Sequence, residues 1–267
     1  METLSFFKAI LLGAIQGATE FLPVSSSAHL VFAQALLNVR ADGQFLVALD
    51  LALHLGTLLA VIVIFRQDLI GIVKGCLSKQ NPEGRHRGWL IVVGTLPAVV
   101  VGGSLHNFFE ALFSDVLWAG IFLCVTGFIL WSTRRFVHGA ADYKNLHWPQ
   151  ALKVGLAQAA AILPGISRSG STIAAGIWCR LDPAEAARFS FLLSIPAIAG
   201  AFVLEAGNFR YFQMEALLQT LAGAVASFIV GYASIRWLLK IISRGHFSNF
   251  AIYCWIVGGL AILTQIF

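Results

Sequence analysis

Residues 13–30, GAIQGATEFLPVSSSAHL, have a counterpart at 155–173, GLAQAAAILPGISRSGSTI. Each runs as an apolar helical stretch carrying Gly and Gln, then Leu-Pro, then a Ser-rich turn, then a second apolar stretch. Gly13, Gln16, Ala18, Leu22 and Pro23 answer to Gly155, Gln158, Ala160, Leu163 and Pro164, with one residue dropped between the Ala and the Leu. Proline stops the helical hydrogen-bond ladder, and backbone freed in this way survives at membrane depth only where it lines a cavity. Two such breaks in corresponding halves of a chain point to a polar site near the bilayer midplane. The pair reads as an active site.

A membrane setting follows from composition. Of 267 residues, 58% are hydrophobic and only 12% charged, with mean hydropathy +0.81. A soluble domain of this length needs far more charge to cover its surface. Residues 1–12 have no basic leading segment and continue straight into the first broken stretch, so no cleavable signal peptide is expected. Cys76, Cys124, Cys179 and Cys254 are scattered singly, which excludes a disulfide scaffold and reads as inert thiols. The net charge of +5 does not call for nucleic acid, because the basic residues lie in short loops between spans.

Spans are predicted at 44–65, 89–107, 115–133, 189–207, 215–239 and 248–267, each near the ~20 residues that cross a bilayer. Residues 66–88 form a polar basic connection, Glu110 to Ser114 a short turn, and 134–153 a second basic connection. The expected fold is therefore an all-α polytopic membrane protein, one integral domain over 1–267. Each half, about 1–133 and about 150–267, is a re-entrant helix-loop-helix plus three transmembrane helices. Three is odd, so the second copy must lie upside down relative to the first, an inverted-topology repeat. Charge agrees with this. With 66–88 in the cytoplasm, fourteen basic side chains face it, whereas only Lys8, Arg40 and Arg210 lie outside and Arg168 falls in the site. Both ends of the chain then lie on the outer face.

Gln16 and Glu20 are four apart and share a helix face. A carboxylate at membrane depth is costly, and hard oxygen ligands suit Mg²⁺ or Ca²⁺, with water and phosphate completing the shell. The plainer alternative is a helix-end glutamate paired with a cation. Ser25, Ser26, Ser27 and His29 follow the proline, and a hydroxyl beside an imidazole is the minimal activated nucleophile. A Ser-rich cap followed by a core histidine would look the same. In the partner loop, Ser167, Arg168, Ser169 and, one turn on, Thr172 offer a guanidinium among hydroxyls. That combination fits a tetrahedral phosphate, with a salt bridge to Glu20 as the plainer alternative. Asp50 and His54 either extend this network or pair with each other across one turn.

These residues resemble a known family, the bacterial undecaprenyl-diphosphate phosphatases, also called bacitracin-resistance proteins. The resemblance rests on Gln16 to Glu20, on PVSSSAH at Pro23 to His29 and on PGISRSG at Pro164 to Gly170. HLGT at 54–57 and FSFLLSIP at 189–196 extend it over nearly the whole chain. It implies a multi-pass enzyme of the bacterial plasma (inner) membrane, opening to the outer face. Such an enzyme hydrolyses a C55 isoprenyl diphosphate to the monophosphate and so recycles the carrier for peptidoglycan synthesis. Bilayer lipids are its surroundings, and a homodimer is left open. By that likeness Glu20 holds the divalent metal, Ser26 or His29 is the nucleophile and Arg168 binds the diphosphate. Gln16 is a permitted variant of the family's first acidic position and offers one charge less to the metal. A lipid flippase or secondary transporter built on the same repeat is the alternative from another class. A phosphatidic-acid-type phosphatase fits less well, because no suitably spaced histidine follows SRSG.

Overall fold

The computed structural model describes residues 4–39, 43–78, 81–104, 115–136, 139, 141–205 and 214–266. Among them the regular structure is helical: α1 (Phe6–Thr19), α2 (Ser26–Leu36), α3 (Gly43–Ile64), α4 (Arg66–Leu77), α5 (Pro82–Ser104), α6 (Val116–Ser132), α7 (Trp148–Ala160), α8 (Arg168–Trp178), α9 (Pro183–Glu205), α10 (Met214–Ile242) and α11 (Phe250–Ile266). The described residues contain no strand, only one isolated parallel bridge between Ala141 and Leu181. Among the described residues six helices are long and apolar enough to cross a membrane: Phe45–Ile64, Pro82–Ser104, Val116–Phe136, Pro183–Leu204, Leu217–Ile242 and Phe247–Gln265.

Two spans start earlier than their hydropathy predicts. The helix expected from 89 begins at Pro82, where a missing N–H is harmless and Glu83 complements the positive helix end. The one expected from 189 begins at Pro183, with Asp182 accepting from the N–H groups of Ala184 and Glu185. The connection 66–88 holds a further helix, α4, on which Asp68 is buried. Its carboxylate accepts from Arg188 Nε and Nη2 on α9 at 2.8–3.2 Å and from the Tyr143 hydroxyl at 3.4 Å. Burial, with the Asp68 charge beside it, pushes the Tyr143 hydroxyl up to about 12, so it stays protonated at this node. The expected turn at Glu110–Ser114, and Arg40 and Arg210, lie outside the described residues.

The two broken segments are each gripped by a helix of the opposite half. Helix α1 packs on α10, α7 packs on α5, and α3 and α6 meet α9 and α11 respectively. Glycine makes the first two approaches possible. A Cβ on Gly13 would fall on the backbone of Gly223, and one on Gly155 on the backbone of Gly94. Small residues are how membrane helices reach such separations. Gly13→Val is therefore expected to yield little monodisperse protein in detergent, because the added side chain meets the backbone of Gly223, which has no flexible end to move. Gly71→Ala, with nothing within 4 Å of the added methyl, should purify like the parent. Equal yields of the two variants would contradict the packing.

The core runs beneath the breaks. Phe21, just before Pro23, meets Phe191 edge to face at 5.5 Å between ring centroids, and Phe65 closes on the same ring. Outward faces carry exposed apolar side chains such as Leu96, Val99, Leu221 and Ile256. In a spanning protein these are lipid contacts.

Candidate active site

The two turns meet on Glu20. Helix α1 ends there, its last turn closed by the Glu20 N–H on Gln16 O, and the chain passes Pro23 into α2. Ser25 caps α2 at φ 64, a region that a residue with a Cβ enters only at a cost of about 1–3 kcal/mol. Its hydroxyl lies 3.1 Å from Ser27 Oγ. Across the gap, Ser167 caps α8 and accepts from Gly170 N at 3.0 Å. Both α2 and α8 thus begin in the turns, and the positive ends of their dipoles lie there.

Glu20 is 7% exposed, and both of its oxygens have partners. Arg168 Nη2 donates to Oε1 at 2.5 Å; the Ser26 hydroxyl donates to Oε2 at 2.6 Å and Gln16 Nε2 to the same atom at 2.9 Å. His54 Nε2 stands 3.5 Å from Oε2. The salt bridge and the reactive-group cluster expected from the sequence are therefore one arrangement. Ser169 ties the turns together by donating to Leu22 O at 2.9 Å. Two buried polar atoms here have no hydrogen-bond partner among the described residues, Gln16 Oε1 and Arg168 Nη1.

Other predicted residues lie differently. His29 follows Ser26 on α2, but its ring bonds to Ser25 O (2.8 Å, through Nδ1) and the Tyr253 hydroxyl (2.8 Å, through Nε2). The hydroxyl of Ser26 goes to Glu20 instead. Thr172 is fully buried, donates to Arg168 O at 2.7 Å and meets Ser190 Oγ at 2.6 Å, behind the turn. Asp50 accepts from Gln34 Nε2 at 2.8 Å, while His54 uses the Asp50 carbonyl and turns its other nitrogen to Glu20. Of the two arrangements left open for this pair, His54 extends the network.

Residues 9–260 match the family described as bacitracin resistance protein BacA. The chain belongs to this family. An undecaprenyl-diphosphatase of Methanobrevibacter smithii is 42% identical over 98% of this chain and 99% of its own. Those of Desulfosudis oleivorans and Halothermothrix orenii are each 42% identical, over 96% and 97% of this chain and 97% and 98% of theirs.

The BacA-family chain also uses residues its motifs do not contain. Thr126 on α6 is fully buried, donates to Gly165 O at 2.8 Å and accepts from Ser167 N at 2.9 Å, so it fixes the second turn from a distant helix. Tyr253 on α11 holds His29, its ring stacked 5.7 Å from the imidazole. A lone Thr or Tyr in an apolar span carries no pattern by which sequence could select it.

The donor set accommodates a divalent cation sparingly. No three His, Cys, Asp or Glu side chains converge among the described residues. Glu20 Oε2 and the partnerless Gln16 Oε1 are nevertheless oxygen acceptors anchored to each other. Two protein oxygens, completed by water and substrate phosphate, are how Mg²⁺ is commonly held.

Proposed function

We propose that this chain hydrolyses undecaprenyl diphosphate to undecaprenyl phosphate and inorganic phosphate. The observation that carries the reading is Arg168 Nη1, a guanidinium donor buried without a partner beside Ser26 and Glu20. A buried cationic N–H in want of an acceptor fits an anion, and the fork of a guanidinium fits two oxygens of one phosphate. Family membership and the names of the relatives supply the lipid.

In the proposed reaction Arg168 turns its free donor to the terminal phosphate, with Ser27, Ser25, Ser167 and Ser169 around it. Ser26 Oγ attacks phosphorus as its proton passes to Glu20 Oε2, already its hydrogen-bond acceptor at 2.6 Å. The bond to the bridging oxygen breaks, and undecaprenyl phosphate leaves. Glu20 hands its proton to the leaving phosphate; water then attacks the phosphoserine, giving its proton to Glu20, which returns it to Ser26 Oγ as the bond to phosphorus breaks and inorganic phosphate departs. Glu20 and Gln16 would hold Mg²⁺ or Ca²⁺, which when bound neutralises the diphosphate charge. His29, whose Nδ1–H faces a carbonyl, is the second candidate nucleophile through Nε2, at present hydrogen-bonded to Tyr253. Thr172 supports the turn.

The inverted repeat is part of the same proposal. It is supported by the exchange of partners, α1 with α10 and α7 with α5, and by the matching contacts Gly13–Gly223 and Gly155–Gly94. The proposed setting is the bacterial plasma membrane, the site open to the outer face, the product returning to peptidoglycan synthesis. In a background without the four native cysteines, Lys144→Cys should resist an impermeant thiol reagent in intact cells, and Ser104→Cys should react. The reverse pattern overturns the orientation.

A flippase on the same scaffold would move lipid without cleaving it. Proteoliposomes held without any ion gradient and given external undecaprenyl diphosphate should release inorganic phosphate. Lipid transfer with no phosphate would favour the transporter.

A further inference from the structure

Several buried hydroxyls on the long helices return to their own backbone. Thr57 donates to His54 O, Thr95 to Ile91 O and Ser194 to Phe191 O, each at 2.7 Å. Bonding back to the preceding turn is how a serine or threonine satisfies itself inside a helix. Ser190, one turn before Ser194 on α9 and as fully buried, does otherwise. Its Oγ reaches across to α8 and lies 2.6 Å from Thr172 Oγ1.

The direction of this contact follows from counting hydrogens. A hydroxyl has one hydrogen to give and two lone pairs to receive. Thr172 Oγ1 lies 2.7 Å from Arg168 O, a carbonyl that only accepts, so the threonine hydrogen goes there. Ser190 therefore donates to Thr172. The relay runs from α9, through Thr172, to the carbonyl of Arg168, the first residue of α8.

Ser190 is itself held on both sides. Arg188 is bound to Asp68 at 2.8 Å, and the ring of Phe189 stacks on Tyr143 at 5.9 Å. Phe191 meets Phe21, the residue after Glu20, edge to face. One turn of α9 thus touches both broken segments, behind Arg168 through Ser190 and beside Glu20 through Phe191.

We infer that Ser190 is a positioning residue for Arg168: through Thr172 it fixes the first turn of α8, so that Arg168 Nη2 stays on Glu20 and Nη1 faces phosphate. The inference rests on reading Arg168 as the phosphate clamp. A guanidinium that must serve a carboxylate and a phosphate at once tolerates little shift at its own backbone. Misplacing a group by about 1 Å from a distance can cost about 10²-fold in rate.

The test uses the purified full chain in detergent, with kcat and KM measured on undecaprenyl diphosphate. Ser190→Ala should lose about tenfold or more in kcat/KM, and Ser194→Ala should stay within about twofold of the parent. The two variants delete the same buried atom from the same helix, so a merely structural role would affect both alike. In an Arg168→Lys background, Ser190→Ala should cost less than about twofold further, because residues acting through one group do not add. Thr172→Val breaks the same relay and should match Ser190→Ala, which covers poor folding of the alanine variant. Calorimetric binding of methylene diphosphonate repeats the comparison without turnover: about tenfold weaker for Ser190→Ala, unchanged for Ser194→Ala. Equal losses in the two alanine variants, or a full additional loss on top of Arg168→Lys, would overturn the assignment. A parent that does not bind the diphosphonate would remove the clamp on which it rests. A parent that binds it but releases no phosphate would refute the enzyme reading and leave this one intact.

Discussion

Arg168→Lys is expected to lose roughly 10²-fold or more in kcat/KM, the scale of removing one preorganised donor from a transition state. The charge is conserved, so a role confined to neutralising Glu20 would leave activity close to that of the parent. A guanidinium can keep one N–H on Glu20 Oε1 and place another on phosphate, and Arg168 has Nη2 on the carboxylate with Nη1 free. An ammonium is a point charge on a flexible stem and cannot span both. Steady-state kinetics on undecaprenyl diphosphate, with a melting curve to establish folding, decides this. Near-parental turnover in well-folded Arg168→Lys would remove the phosphate clamp.

The second large effect divides labour at Glu20. Ser26→Ala removes the attacking oxygen and should cost on the order of 10³-fold or more in kcat. Glu20→Gln keeps shape but removes the group that receives the Ser26 proton at 2.6 Å, and loss of a general base costs about 10²–10⁴-fold. Excess Mg²⁺ should not restore it. Gln16→Ala is expected to differ in kind, because Gln16 holds the Glu20 carboxylate through Nε2 and makes no hydrogen bond to Ser26. Its activity should fall at low metal and recover as Mg²⁺ is raised. His29→Ala should show an intermediate loss, since its ring bonds Ser25 and Tyr253. Full activity of Glu20→Gln would refute the base. A trapped phosphohistidine with Ser26→Ala still turning over would move the nucleophile to His29.

Much of this site could be read from residue types and spacing. Gln16 and Glu20 lie four apart on a helix, so their contact follows from helical geometry. The Arg168–Glu20 pair follows from the expense of two opposite charges at membrane depth. The Ser26–His29 pairing does not follow as simply. Three residues apart on a helix, they share a face, yet the backbone at Ser25 turns to φ 64 and His29 takes up the carbonyl there. Local spacing cannot anticipate that choice, because it depends on Tyr253 arriving from α11. Thr126 was illegible for the same reason: a threonine in an apolar span shows its purpose only when Gly165 and Ser167 are beside it. In the fold, hydropathy located six spans but missed α4, a helix of 12 residues that is too short and polar to register as a span, although it packs Ile72 into the core and sets Asp68 against Arg188.

Phosphate release by the purified protein, measured beside Ser26→Ala in detergent with no gradient across any membrane, tests the central claim most directly. The account predicts one inorganic phosphate and one undecaprenyl phosphate per substrate from the parent chain. It predicts almost none from Ser26→Ala, although that variant still binds the lipid diphosphate. No release from the parent, or undiminished release from Ser26→Ala, would contradict it.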